Sequence, residues 1–315
     1  MNIVLLDANT LANTSLSALH NLGQLTEYGN TLPSQIVERC QHADVVITNK
    51  VVLDANVLGQ LPNLKLICVA ATGTNNIDLN EAKKQGITVT NVAGYSTPSV
   101  VQHTFTLLGN LLGNVHHYVN DCAQGMWQQS DMFCRLDHSI TEIAGKQFVI
   151  VGYGTLGQAV ANVARAFGAN VIIAEHRHSK TIRQGRTPFE DALKQADIVS
   201  IHCPLNEKTT DLFEKSALSL LKPSAVLINT ARGGIVNEHA LVNALENAHI
   251  AGAAVDVLSF EPAQNDNPLL TYKGDNLLLT PHIAWASKES ITRLVENIAQ
   301  NIESFYKGRT SNIVV

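Results

Sequence analysis

Short apolar runs alternate with helical periodicity from residue 2 to about residue 90: NIVLLD (2–7), QLTEY (24–28), DVVITN (44–49), LKLICVA (64–70) and ITVTN (87–91). Runs of this length predict strands, and the helical patterns between them predict βα units on a parallel sheet. A second series follows in FVIVG (148–152), VIIAE (171–175), DIVSIH (197–202), AVLINT (225–230), AGAAVDV (251–257) and NLLLT (276–280). Six strands with intervening helices make a complete dinucleotide-binding sheet. The expected fold class is α/β, with two parallel sheets.

Two longer patterns flank the second series. VVQHTFTLLGNLLGNVHHY (100–118) is apolar on most faces and is preceded by Thr97-Pro98, which suits an N-cap followed by proline at the first helical position. One long helix joining two domains is predicted from Thr97 to about Tyr118. From Lys288 to Tyr306 the chain reads as one amphipathic helix with Ile291, Leu294, Val295, Ile298 and Ile302 on a face. It is expected to return to the first domain, giving a split domain of residues 1–98 and 286–315 around a second domain of residues 99–285.

Composition agrees with two domains, since 315 residues at 45% hydrophobic content can bury two cores. The formal charge is −5, and Lys and Arg are dispersed along the chain, so neither nucleic acid nor an anionic membrane is an expected partner. MNIVLLDANT has no basic stretch before its apolar run, and the run is too short for a signal sequence or a span, so a cytoplasmic location is expected. Cys40, Cys68, Cys122, Cys134 and Cys203 lack CxxC spacing and are expected to be reduced, mostly buried thiols. His116 and His117 point about 100° apart on a helix, so no metal site is expected.

Candidate chemistry begins at Gly152-Tyr153-Gly154-Thr155-Leu156-Gly157, which follows the strand FVIV and opens the helical run LGQAVANVARAFG. In that setting the glycines allow a tight turn, close approach of backbone to a pyrophosphate and close packing of helix on strand. The helix N-terminus adds free N–H groups and partial positive charge. Glu175, 18 residues past Gly157, is placed to accept hydrogen bonds from an adenosine ribose. Its charge opposes a 2′-phosphate and favours NAD, although His176-Arg177-His178 supplies cations of the kind that accommodate NADP. The turn after the first strand of the chain has no glycine, and no dinucleotide is expected there.

Three further residues fall at or just past the carboxyl ends of predicted strands, where open α/β sheets bind ligands. Arg232, followed by Gly233-Gly234, suits a substrate carboxylate, which a guanidinium grips bidentately. His282 in Pro281-His282-Ile283-Ala284 suits proton delivery, and Glu261 suits a partner that fixes its tautomer. Asp256 ends the strand between them in sequence. Together with a nicotinamide these groups describe reversible hydride transfer to a 2-oxo acid: the carbonyl oxygen gains charge as hydride arrives and must be protonated.

The segments ATGTNNIDL (71–79), GYGTLG (152–157), HCPLNEKT (202–209), INTARGGIVNE (228–238), AAVDVLSFEP (253–262) and TPHIAWAS (280–287) together resemble the D-isomer-specific 2-hydroxyacid dehydrogenases over nearly the whole chain. The resemblance implies a Rossmann-type doubly wound cofactor domain inserted in a smaller flavodoxin-like α/β substrate domain, and a homodimer. It gives Arg232, Glu261 and His282 the family's catalytic positions. Asp256 takes a position near the nicotinamide carboxamide; Cys203, Pro204, Thr230, Ala231 and Ala284 take cofactor-lining positions. Thr72 and Gly73 match a loop whose N–H groups help hold the substrate carboxylate, and Met126 and Trp127 match residues that close the pocket from a partner subunit.

NVAGYSTPSVVQHTF (91–105), MWQQSDMFC (126–134) and PHIAWAS are most similar to glycerate dehydrogenases, also called hydroxypyruvate reductases. Gln102 stands where the family often has glutamate, and Glu175 where aspartate is commoner. Phosphoglycerate dehydrogenases share the sheet and triad but usually add basic groups for the substrate phosphate, often an arginine at the position of Ala70. VAATGTN (69–75) carries no cation. The alternative of another class is a non-catalytic NAD sensor like the corepressors that share this fold.

Overall fold

The computed structural model describes residues 1–309 and 312–315. The chain divides into two compact units, Met1–Ser96 with Ala286–Val315, and Thr97–Trp285. Thr97 and Pro98 thus go with the second unit.

The first unit holds β1 (Asn2–Leu5), β2 (Gln24–Glu27), β3 (Val45–Thr48), β4 (Leu66–Val69) and β5 (Thr88–Thr90). All are parallel, in the order β2-β1-β3-β4-β5, which is the flavodoxin-type order. Every residue of β3 and β4 is buried, because helices cover both faces of a parallel sheet; hence these strands read as unbroken apolar runs. The helix Lys288–Tyr306 starts where Ser287 accepts the N–H of Ser290, and it buries the expected face, Ile291, Leu294, Val295, Ile298 and Ile302. Arg293 Nε donates to Tyr95 O at 3.0 Å and Asn301 Nδ2 to Asn91 O at 3.0 Å, tying this helix to the chain that follows β5. The last residues also pair with β5: Val89 N donates to Val315 O and Val314 N to Val89 O, each at 2.8 Å.

The second unit holds β6 (Gln147–Val151), β7 (Asn170–Ala174), β8 (Ile198–Ile201), β9 (Val226–Asn229), β10 (Gly252–Val255) and β11 (Leu277–Leu279), again all parallel. Their order is β11-β10-β9-β8-β6-β7. An isolated parallel bridge between Ala174 and Thr187 lies beyond β7. Counting that bridge as a strand gives the Rossmann order, with the strand order reversing between β6 and β8.

The single helix expected to reach Tyr118 is two helices, Thr97–Gly113 and Val115–Ala123. Asn114 between them is left-handed, with φ 49°, and its Nδ2 donates to Ser139 O at 2.6 Å. Asparagine tolerates this conformation better than most residues, and apolar periodicity continues across the break, so the pattern alone does not reveal it.

Cys40, Cys68, Cys122, Cys134 and Cys203 are all free thiols; Cys40 and Cys68 are buried, and Cys122 is exposed. Burial pushes Cys40 and Cys68 up to about 12 and Cys203 up to about 11. The rings of His116 and His117 lie 3.9 Å apart between centroids, tilted by 40°, and among the described residues no group of three His, Cys, Asp or Glu is placed to hold a metal ion. No helix among them is long and apolar enough to cross a membrane.

Candidate active site

At the carboxyl end of β6 the chain turns through Gly152, whose φ is 95°. A Cβ there would lie 2.5 Å from the backbone N of Cys203 and 2.6 Å from the carbonyl carbon of His202, so only glycine lets the turn sit against the end of β8. Gly157 is closer still, since a Cβ would fall 2.0 Å from Gly152 O. By contrast a Cβ on Gly154 would meet nothing within 4 Å: this glycine leaves open space in front of the helix. That helix, Thr155–Ala166, has no side-chain cap at its N-terminus. Its first-turn N–H groups, near exposed Thr155 and half-buried Leu156, therefore fit the pyrophosphate of a dinucleotide.

Three neighbouring strands of the same sheet, β9, β10 and β11, carry the acid, base and cation. After β9, the Asn229 side chain braces the turn, donating to Arg232 O at 3.0 Å and accepting from Ala231 N at 3.1 Å. Arg232 is exposed, and its Nη1 donates to Ala231 O at 2.7 Å. A Cβ on Gly233 would lie 1.9 Å from Leu258 O, so this turn rests directly on the backbone that follows β10.

That same backbone fixes Glu261. Leu258 N donates to Glu261 Oε1 at 3.0 Å, while Oε2 lies 2.6 Å from His282 Nδ1. An ionised carboxylate only accepts, so Nδ1 carries the hydrogen and Nε2 is the nitrogen left for a ligand. The pair is partly open, with side-chain exposures of 25% for His282 and 35% for Glu261.

Asp256 does something the sequence did not disclose. Its carboxylate is 1% exposed and is spent on the backbone around His282. It accepts from Thr280 Oγ1 at 2.5 Å, Ile283 N at 3.0 Å and Ala284 N at 2.9 Å, and its own carbonyl accepts from His282 N at 2.8 Å. His103 Nε2 stands 3.1 Å from Thr280 Oγ1 and 3.5 Å from Asp256 Oδ1. Burial alone would raise this carboxyl, but the hydrogen bonds from His103, Thr280, Ile283 and Ala284 outweigh it and hold the group below its ordinary value. Ser99 Oγ completes the support by donating to Ala284 O at 2.7 Å. Sequence reasoning missed Thr280 and Ser99 and took His103 for a core or domain-interface residue; a hydroxyl two residues before His282 was the available signal for Thr280.

At Glu175 the structure adds partners that the sequence did not indicate. The residue does end the chain segment after β7, but its side chain is 1% exposed and already engaged. Arg183 Nε donates to Oε2 at 2.8 Å, Arg183 Nη2 to Oε1, Arg183 N to Oε2 at 3.1 Å and His176 N to Oε1 at 2.8 Å. Arg183 holds the Glu175 carboxyl far below the usual carboxylate range, against the opposing effect of burial.

Other candidates are placed as follows. Thr230 and Ala231 are buried, with Thr230 Oγ1 3.1 Å from Thr104 Oγ1. Cys203 is half-buried and Pro204 exposed; the Pro204 carbonyl accepts from Thr209 Oγ1 at 2.6 Å. In the first unit, Thr72 and Gly73 follow β4; the Thr72 hydroxyl donates to Val92 O at 3.2 Å and the Thr72 carbonyl accepts from Asn91 Nδ2 at 2.7 Å. Gln102 is exposed on the helix Thr97–Gly113.

Residues 105–284 match the family model for the D-isomer specific 2-hydroxyacid dehydrogenase, NAD binding domain. A glycerate dehydrogenase of Methylorubrum extorquens is 39% identical over 313 residues, covering 99% of this chain and 98% of that protein. A hydroxypyruvate reductase of Blautia hydrogenotrophica is 35% identical, covering 100% of this chain and 99% of its own. Among solved structures, a protein of Thermus thermophilus superposes with a TM-score of 0.88 at 30% identity, with full coverage of both chains.

Two tests address the geometry. Asp256→Asn places an N–H where at least one backbone N–H now points, and should cost about 1–3 kcal/mol in urea unfolding; an unchanged midpoint would show that the carboxylate does not hold this loop. His202, just past β8, has a buried Nδ1 with no partner among the described residues, and burial pushes its pKa down to about 4. The unfolded chain takes up that proton near pH 6.5, so the neutral ring's contribution is complete above about pH 6.5 and lost toward pH 4, at up to ~1.4 kcal/mol per pH unit. His202→Gln should flatten the fall of stability across that window, and parallel curves for the two proteins would reject it.

Proposed function

The chain belongs to the D-isomer-specific 2-hydroxyacid dehydrogenases, and from that membership we propose that it reduces hydroxypyruvate and glyoxylate with NADH, acting in reverse as a D-glycerate dehydrogenase. The class of activity follows from the family: an NAD-dependent oxidoreductase acting on a small 2-oxo or 2-hydroxy acid. The observation that carries the mechanism is the 2.6 Å contact between His282 Nδ1 and Glu261.

The glycine turn would hold the pyrophosphate of NADH, whose nicotinamide would supply the hydride. Arg232 forks onto the substrate carboxylate and sets the carbonyl in position. His282, charged, donates its Nε2 proton to the carbonyl oxygen as the new C–H bond forms, so that oxygen ends as a neutral hydroxyl and not an alkoxide. Glu261, fixed by Leu258 N, keeps the ring oriented through Nδ1 and offsets its charge until the proton has gone. Asp256, through Thr280, Ile283 and Ala284, acts as a positioning residue for the histidine. Ala70 supports an unphosphorylated substrate, since phosphoglycerate needs further cations.

We further propose a homodimer and a cytoplasmic location. Trp127, Phe133, Leu136 and Ile140 lie within one short segment at exposures of 54%, 92%, 70% and 62%. An apolar cluster this open fits a second copy of the chain better than water. Unpaired thiols throughout favour a reducing compartment.

Absorbance at 340 nm should report fast NADH oxidation with hydroxypyruvate and glyoxylate, and slower oxidation with pyruvate, 2-oxoisocaproate or phosphohydroxypyruvate; a preference for one of the latter would move the substrate within the family. His282→Ala and Arg232→Ala should each lower kcat/KM by roughly 10²–10⁴-fold, and a loss under about tenfold would sink their roles. No turnover of any 2-oxo acid, with NADH still bound, would favour the sensor alternative. Light scattering should give twice the 34.0 kDa of one chain, and Phe133→Asp with Leu136→Asp should return it to the single-chain mass; a wild-type monomer would remove the dimer proposal.

A further inference from the structure

We propose that the pocket beside Glu175 receives a 2′-phosphorylated adenosine as well as a plain one, with Arg183 as the residue that meets the 2′-phosphate. This rests on the reading that the glycine turn binds a dinucleotide.

The pocket has a volume of ≈ 730 Å³ and is lined among others by Glu175, His176, His178, Arg183 and Lys208, at the edge of the sheet where β7 ends. In a site that admits only NAD, the acid there accepts the two ribose hydroxyls and repels a phosphate. Glu175 can do neither in this arrangement. An ionised carboxylate offers about four lone-pair positions, and His176 N, Arg183 N, Arg183 Nε and Arg183 Nη2 take four. Arg186 Nη1 adds a second cation 3.7 Å from Oε1. The charge that would exclude a 2′-phosphate is therefore compensated where it originates.

What faces the pocket instead is a guanidinium with a side-chain exposure of 53%. It grips Glu175 through Nε and Nη2, the fork along one edge of the group. Among the described residues Nη1 has no partner, so the Nη1/Nη2 edge remains as a second fork. Planar forks of this kind match two phosphate oxygens. Glu175 orients the arginine, and the arginine presents the contact.

Arg177, the cation that the sequence put forward, lines the same pocket but is already paired. Its side chain donates to Ser216 Oγ at 2.9 Å and lies 3.5 Å from Glu190 and 3.4 Å from Glu214. Glu207, Asp211 and Glu214 also line the pocket, so with Glu175 four carboxylates stand there against the three cations Arg177, Arg183 and Lys208. Acceptance of both cofactors follows, rather than exclusion of NADH.

Isothermal titration with NADH, NADPH, 5′-AMP and 2′,5′-ADP tests this without turnover. For the wild-type protein the NADPH Kd should lie within about tenfold of the NADH Kd, and 2′,5′-ADP should bind at least as tightly as 5′-AMP, with a steeper loss in KCl. Arg183→Gln should raise the ratio of the NADPH to the NADH Kd by about tenfold or more, the scale of one charge-assisted fork. NADH binding with NADPH weaker by more than that in the wild type, or a ratio unmoved by Arg183→Gln, overturns the inference alone. Failure of both dinucleotides to bind overturns it together with the reading beneath it. The wild-type comparison of 2′,5′-ADP with 5′-AMP decides the matter even if the variant does not fold.

Discussion

A carboxylate removed from water must be satisfied by its surroundings, and at Asp256 those surroundings are the loop that carries the histidine. Thr280 Oγ1, Ile283 N and Ala284 N converge on one side chain that is 1% exposed. Loss of any one of these donors leaves a buried carboxylate less well satisfied and costs about 1–3 kcal/mol. The ring of His282 is thereby fixed at both ends, by Asp256 through the backbone and by Glu261 at Nδ1. The Nε2 edge of the ring is thus presented by a frame built on two adjacent strands, β10 and β11.

The two parallel sheets share a wiring plan near their centres and differ in what fills the reversal. In the second, Gly152 draws the chain onto the end of β8 and leaves a cradle of bare backbone. In the first, between β1 and β3, the carboxylate of Asp7 is 4% exposed and takes Asn49 N at 2.9 Å and Lys50 N at 2.7 Å. The N–H groups that would greet a phosphate are there occupied by the protein's own anion. One residue type at the end of the first strand separates a binding crevice from a structural joint.

The sheets were legible because buried parallel strands have an unmistakable composition, as in VVIT at β3 and VLIN at β9. The glycine turn and the triad positions were legible because each is a local pattern placed at a strand end. Illegible features depend on long-range pairing or on a single dihedral angle. Asn114 breaks a helix without altering its apolar period. Thr187 contributes one bridge, too little to read as a strand. Val314 and Val315 pair with a strand more than two hundred residues earlier. Arg183 lies eight residues past Glu175 in a loop with no periodicity, so nothing in the sequence announces that it would cover the acid.

His282 also adopts φ 55°, in the left-handed region that side chains rarely occupy. Glycine or asparagine would suit that backbone and move no proton; lysine or tyrosine could carry a proton but would resist the backbone. Histidine is among the few residues tolerated in this conformation, and it is also the one whose ionisation falls near neutrality. Conformation and acidity thus narrow the usable alphabet independently, and their overlap is close to a single letter. At this position the backbone and the side-chain chemistry therefore restrict substitution independently of one another.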